Sequence, residues 1–183
     1  MTKITLAVTG SIAAYKAADL TSTLTKQGHN VTILMTQSAT QFIPPLTLQV
    51  LSKNKVHTNI MDEKHPEVVN HIDIAKNTEL FLVAPATADT ISRLAHGAAN
   101  DIITAVALAL PEHVLKFIAP AMNTQMYQNP LTTRNIELLK SIGYKEIKPR
   151  EGLLACGDVG RGALASLTTI LEELDLQAPL EKL

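Results

Sequence analysis

The chain has 183 residues, 46% of them apolar, which suffices for one domain with a sizeable core and is too little for two. Sixteen Lys and Arg stand against seventeen Asp and Glu with no run of like charge, which excludes a nucleic-acid stripe or a basic membrane patch and leaves a small molecule or a protein surface as partner. One cysteine, Cys156, excludes an internal disulfide framework, and no apolar run approaches the roughly twenty residues that span a bilayer, so the expectation is a single cytoplasmic domain over residues 1–183.

The opening residues lack the length and small-residue cleavage site of a signal peptide and read as a first strand, Ile4 to Thr9. A helix follows with Ala13, Ala17, Leu20 and Leu24 on one face, stopping at Gly28, a residue suited to the left-handed position after a helix. Val31 to Thr36 is the second strand, and His57 to Asn70, the least regular segment, reads as a surface loop. The third strand, Leu80 to Ala84, leads to Thr87, which caps a helix that buries Ile91, Leu94 and Ala95. After a fourth strand, Leu115 to Ala119, Asn129-Pro130 opens a helix that ends at Gly143, and a last helix begins near Ser166 with Leu167, Ile170, Leu171 and Leu174. Near-continuous apolar strands alternating with helices predict an α/β fold, a three-layer doubly wound parallel sheet whose ligands bind beyond the carboxyl ends of the strands.

Polar residues follow each of those strands. Val8 to Lys16 places Gly10, the Ser11 hydroxyl and a helix start directly after the first strand, where unpaired backbone N–H groups suit a phosphate monoester. Neither the three-glycine dinucleotide fingerprint nor a Gly-Lys-Ser/Thr loop is present, which argues for a mononucleotide. The competing reading is a plain strand-to-helix turn with Ser11 as its cap. Thr36, Ser38, Thr87 and Thr90 bring more hydroxyls to the same sheet edge, although each singly reads as a helix cap, and Asp89 would repel a phosphate unless it points away.

Four blocks in order, Gly10 to Lys16, His71-Ile-Asp73, Pro120 to Tyr127 and Ala155 to Gly162, make the chain resemble the homo-oligomeric flavin-containing cysteine decarboxylase family over nearly its whole length. The Asn123 block is similar to that of the decarboxylases within the family. The Cys156 block resembles the branch that acts on 4'-phosphopantothenoylcysteine. The resemblance implies a flavodoxin-like (Rossmann-type) fold, FMN as cofactor, a trimer or a multiple of trimers, and active sites shared between subunits. On that basis the FMN contacts are expected at Gly10, Ser11, Ile12, Thr36, Ser38, Thr87, Ala88, Thr90 and Thr104. Tyr127 stands where the family usually has Trp, and Thr87-Ala-Asp-Thr90 where it usually reads Ser-Ala-Asn-Thr. Many bacterial relatives carry Arg where this chain has Ala163, and many are fused to the ligase that makes the substrate, an activity expected here from a separate protein.

A cysteinyl carboxylate does not lose carbon dioxide readily, because the carbanion left behind has no electron sink. Oxidation of the thiol-bearing carbon by FMN supplies one: a transient thioaldehyde takes up the electrons as the carboxylate leaves as carbon dioxide, and the resulting enethiol is then reduced again to give 4'-phosphopantetheine, a step of coenzyme A biosynthesis. His71 is the expected base, Asn123 the residue that orients the substrate carboxylate with Met122 and Met126 packed around it, and Cys156 the proton donor of the final reduction. Each has a plainer reading, as a surface histidine, a cap of the short helix after Asn123, and a buried thiol in a flexible glycine turn. Competing functions are oxidative decarboxylation of a peptidyl C-terminal cysteine, flavin prenyl transfer, and a non-catalytic FMN-binding regulatory subunit. The Cys156 block, the Asn123 block and the lack of acidic extensions weigh against these in turn. His29, His57, His65, His96 and His113 lack ligand spacing, so no metal is expected.

Overall fold

The computed structural model describes residues 1–63, 67–153, 157 and 159–176. Six strands, β1 (Lys3–Val8), β2 (Asn30–Met35), β3 (Val56–His57), β4 (Leu80–Ala86), β5 (Leu115–Pro120) and β6 (Tyr144–Glu146), form one sheet in the order β3-β2-β1-β4-β5-β6. Every neighbouring pair is parallel. Among the described residues the helices are α1 (Ala17–Lys26), α2 (Pro45–Ser52), α3 (Asn70–Lys76), α4 (Ala88–Ala95), α5 (Ile102–Ala109), α6 (Thr124–Gln128), α7 (Pro130–Ser141) and α8 (Leu167–Glu173). A separate antiparallel hairpin joins β7 (Arg150–Leu153) to β8 (Val159–Ala163).

Side chains alternate across a strand, and here both sets are apolar, so the sheet carries a core on each face. Leu6, Val8, Ile33 and Leu82 pack with Leu20 and Leu24 of α1, Leu48 of α2 and Ile170 of α8. Ala7, Leu34, Phe81 and Val83 face the other way onto Ile74 of α3, Ile91 of α4, Ile103 of α5 and Leu139 of α7. A fully buried Leu or Phe in such a layer contributes about 1.5–3 kcal/mol, so the two cores hold the three layers together with no cross-link. This is the doubly wound arrangement expected from the sequence. Chain direction across the sheet reverses between β1 and β4, which places the ligand crevice beyond the tips of those two strands.

The four expected strands are present, β4 running two residues longer than read, and Thr87, Asn129 and Ser166 cap α4, α7 and α8 as expected. Gly28 and Gly143 take left-handed φ of 83° and 93° just past α1 and α7. Three corrections follow. Helices α2, α3 and α5 were not marked by periodicity: α2 leaves Leu46 and Val50 exposed, α3 is two turns long, and α5 is apolar nearly all round. The segment read as a loop from His57 to Asn70 gives up both ends, to β3 and to α3, so His71 lies in a helical first turn. The glycines of the fourth block, for which a flexible turn is the plainer alternative, belong in part to the paired strand β8.

Candidate active site

At the tip of β1 the buried Thr9 donates its hydroxyl to the Pro85 carbonyl at 2.6 Å and accepts the Thr87 N–H at 3.1 Å. One side chain thus ties the ends of β1 and β4 together, a role that no sequence signal marked. Ser11 then caps a five-residue 3-10 turn, Ile12–Lys16, accepting the Ala13 N–H at 3.2 Å. Gly10 lies against Ser38, and a Cβ at Gly10 would collide with the Ser38 Cβ. The chain turns there because residue 10 has no side chain. Across the switch point Thr87 caps α4 by accepting the Thr90 N–H at 3.3 Å.

The opposite wall is the β7–β8 hairpin lying on the segment that follows β5. Met122 N–H donates to the Gly162 carbonyl at 3.0 Å. A Cβ at Gly162 would meet the Met122 carbonyl, and one at Gly160 the Thr124 hydroxyl, so these glycines allow close approach of two backbones. Asn123 caps α6, its Oδ1 accepting the Gln125 N–H at 2.8 Å, which fixes the plane of the amide. Tyr127 donates its hydroxyl to Glu146 at 2.7 Å, and burial together with that bond pushes its pKa up, so it stays a donor.

Between the walls lies a cleft of about 570 Å3, lined by Gly10, Ser11, Ile12, Thr87, Ala88, Met122, Asn123 and Met126 among the expected residues. Tyr15, Lys16, Arg150, Gly162, Ala163 and Leu164, which are not among the expected site residues, also line it. Ile12 and Tyr15 are each 57% exposed and Met126 50%, so large apolar side chains stand uncovered at its rim. Asp89 reaches the wall, but its carboxylate pairs with Arg93 at 2.6 Å, which answers the expected repulsion of a phosphate. A turn at Gly10 with no side chain, a neutralised carboxylate and apolar side chains in a cleft of cofactor size fit the FMN that the resemblance implies.

The other expected contacts stand outside the cleft lining. Thr36 accepts the Ala39 N–H at 3.1 Å, and Ser38 sits beside Gly10. Thr90 is buried and accepts the Thr87 hydroxyl at 3.1 Å. Thr104 is buried and bound to Asp101 in a capping box at the start of α5, so its hydroxyl closes a helix end. His71 is not brought to the cleft of its own chain. Its Nδ1 lies 4.0 Å from Glu63 Oε1, while Glu63 Oε2 accepts the Asn70 N–H at 2.9 Å. Cys156 falls outside the described residues. Among the described residues no three His, Cys, Asp or Glu side chains cluster as metal ligands, and no helix is long and apolar enough to cross a membrane.

A family model described as Flavoprotein matches residues 1–178. A probable phosphopantothenoylcysteine decarboxylase of Streptococcus mutans is 63% identical over 175 residues, 96% of this chain and 98% of that protein. The coenzyme A biosynthesis bifunctional protein CoaBC of Bacillus subtilis is 47% identical over 169 residues, which make up 92% of this chain and 41% of that longer protein. Among solved structures, a cysteine-to-serine variant of PPC decarboxylase complexed with pantothenoylaminoethenethiol is 30% identical, with a TM-score of 0.88 over 94% of this chain and 96% of that one. The family match, the strand-tip cleft and the doubly wound sheet agree, and the chain belongs to the Flavoprotein family.

Proposed function

We propose that this chain is an FMN-dependent carboxy-lyase that converts 4'-phospho-N-pantothenoylcysteine to 4'-phosphopantetheine in coenzyme A biosynthesis. The observation that carries this reading is the meeting of the Gly10–Ser11 turn and Asn123 in one cleft, in a chain 63% identical to a probable decarboxylase of that substrate. When bound, FMN supplies the two-electron sink that a cysteinyl carboxylate lacks. Asn123, its amide plane set by the Gln125 N–H, orients the substrate carboxylate. Met122 and Met126 line the cleft beside it and offer apolar contact to the substrate. His71 would move the proton of the oxidative half, and Cys156 would supply the proton that the enethiol takes up together with the electron pair returned from the bound flavin, so the net reaction would consume no oxidant.

His71 lies outside the cleft of its own chain, so this reading requires a second copy to present it. A trimer, or a multiple of trimers, with cytoplasmic placement is therefore part of the proposal. The test starts with an absorption spectrum of the purified protein and a carbon dioxide assay with product mass. His71→Asn should lose decarboxylation. Cys156→Ser should still evolve carbon dioxide and accumulate a product two hydrogens lighter than phosphopantetheine. A colourless protein that takes up no FMN in a titration overturns the reading, as does full activity of both variants. A parent enzyme that releases the lighter product would instead mark an oxidative decarboxylase.

A further inference from the structure

Two cations face the cleft and have no part in the steps above. Lys16 ends the 3-10 turn that Ser11 opens, and Arg150 opens β7; both line the cleft. Among the described residues neither forms an ion pair. The carboxylate on the cleft wall, Asp89, is taken by Arg93, and Asp19 lines a neighbouring cavity of about 260 Å3 beside Lys16. Burial, and then the charge of Arg150, hold the Lys16 ammonium below its ordinary pKa, so the two cations sense each other with no anion between them. An incoming dianion would relieve both costs.

The hairpin leaves Arg150 room to act. Residues directly opposite in an antiparallel pair share a face, and the partner of Arg150 is Ala163, a small residue on the same cleft wall. The next residue on that face of β7 is Gly152, where a Cβ would stand 2.9 Å from Arg150 Nη1. Small residues on both sides therefore let the guanidinium lie along the strand over Gly152, beside the wall that Arg150 and Ala163 share. The same hairpin rests on Met122 to Thr124, the segment that holds Asn123, so Arg150 belongs to the wall opposite the Gly10–Ser11 turn.

We propose that Arg150 and Lys16 form a subsite for a phosphate monoester, and that its occupant is the phosphate at the end of the substrate's pantothenoyl arm. This rests on the decarboxylase reading, and the cofactor's own phosphate is the rival source of the same chemistry. The experiment compares the FMN-loaded parent, Arg150→Gln and Lys16→Gln on pantothenoylcysteine with and without its phosphate. It adds calorimetric binding of 4'-phosphopantothenate, which has no cysteine to react, and fluorescence titration of FMN.

Each variant should raise KM for the phosphorylated substrate and weaken 4'-phosphopantothenate by about 10- to 100-fold, the loss of one charge-assisted contact, with KM for the unphosphorylated substrate and FMN affinity unchanged. Because residues 150 and 163 face one another, Arg150→Ala combined with Ala163→Arg should recover most of the phosphate preference. Equal shifts on both substrates, no shift, or weakened FMN with an unchanged KM would each overturn the subsite. A parent that binds 4'-phosphopantothenate through Arg150 yet decarboxylates neither compound would sink the decarboxylase reading and leave the subsite standing.

Discussion

Around the Gly10–Ser11 and Thr87–Ala88 wall, most hydrogen bonds close within three residues of their origin, Ser11 to Ala13 and Thr87 to Thr90, on strands buried by both cores. The wall of Arg150, Gly162 and Ala163 stands on contacts with residues far earlier in the chain, Met122 and Thr124, through glycines that bring backbone onto backbone. The first wall is local turn chemistry on a rigid platform. The second is a tertiary docking surface. A change at Gly10, Ser11 or Thr87 should therefore act on the cofactor, and a change in the second wall on the substrate.

Gly162→Val tests this most severely. The new side chain would meet the Met122 carbonyl, so the hairpin has to lift from Asn123. Displacement of a positioning group by about 1 Å costs on the order of 100-fold in turnover, and steady-state kinetics should show that loss while FMN titrates as in the parent. If FMN affinity falls equally, the two walls are one unit and the comparison fails.

Gly10→Ala probes the other wall. Crowding against Ser38 should weaken FMN by about tenfold in a fluorescence titration, from overpacking of one to a few kcal/mol, and Ser38→Gly in the same chain should restore much of it. Thr87→Ala is milder. It removes the cap of α4, which should cost about 1 kcal/mol and lower the melting temperature by about 2–4 °C.

His57, on edge strand β3 away from both walls, gives the smallest effect. Burial and then the Lys55 charge lower its pKa, against a weaker pull from Asp62, and its Nδ1 meets Asn70 Nδ2 at 3.2 Å. In the unfolded chain the ring titrates near the ordinary value of about 6.5. As pH falls through that value the unfolded state takes up a proton that the folded state refuses, so stability declines until the lowered folded pKa is passed. Chemical denaturation at pH 7.5 and 5.5 should show a smaller loss in His57→Gln than in the parent. His29, lowered by burial and the N-terminal charge, has the same sign and keeps that loss from vanishing.

The sequence by itself determined the doubly wound sheet, because strands buried on both faces must be apolar at every position, and Ile4 to Val8, Leu80 to Ala84 and Leu115 to Ala119 are nearly so. It also determined the strand-tip wall and three helix caps, since Ser11, Thr87, Asn129 and Ser166 bond to N–H groups two or three residues on. Short or uniformly apolar elements such as β3, α3 and α5 left no period to read. Tertiary structure alone decided that Thr9 ties β1 to β4, that Thr104 turns to Asp101 and that His71 lies off its own cleft. It alone decided that Arg150 faces that cleft across from Ala163, because register and close approach between distant segments are set by what packs against what.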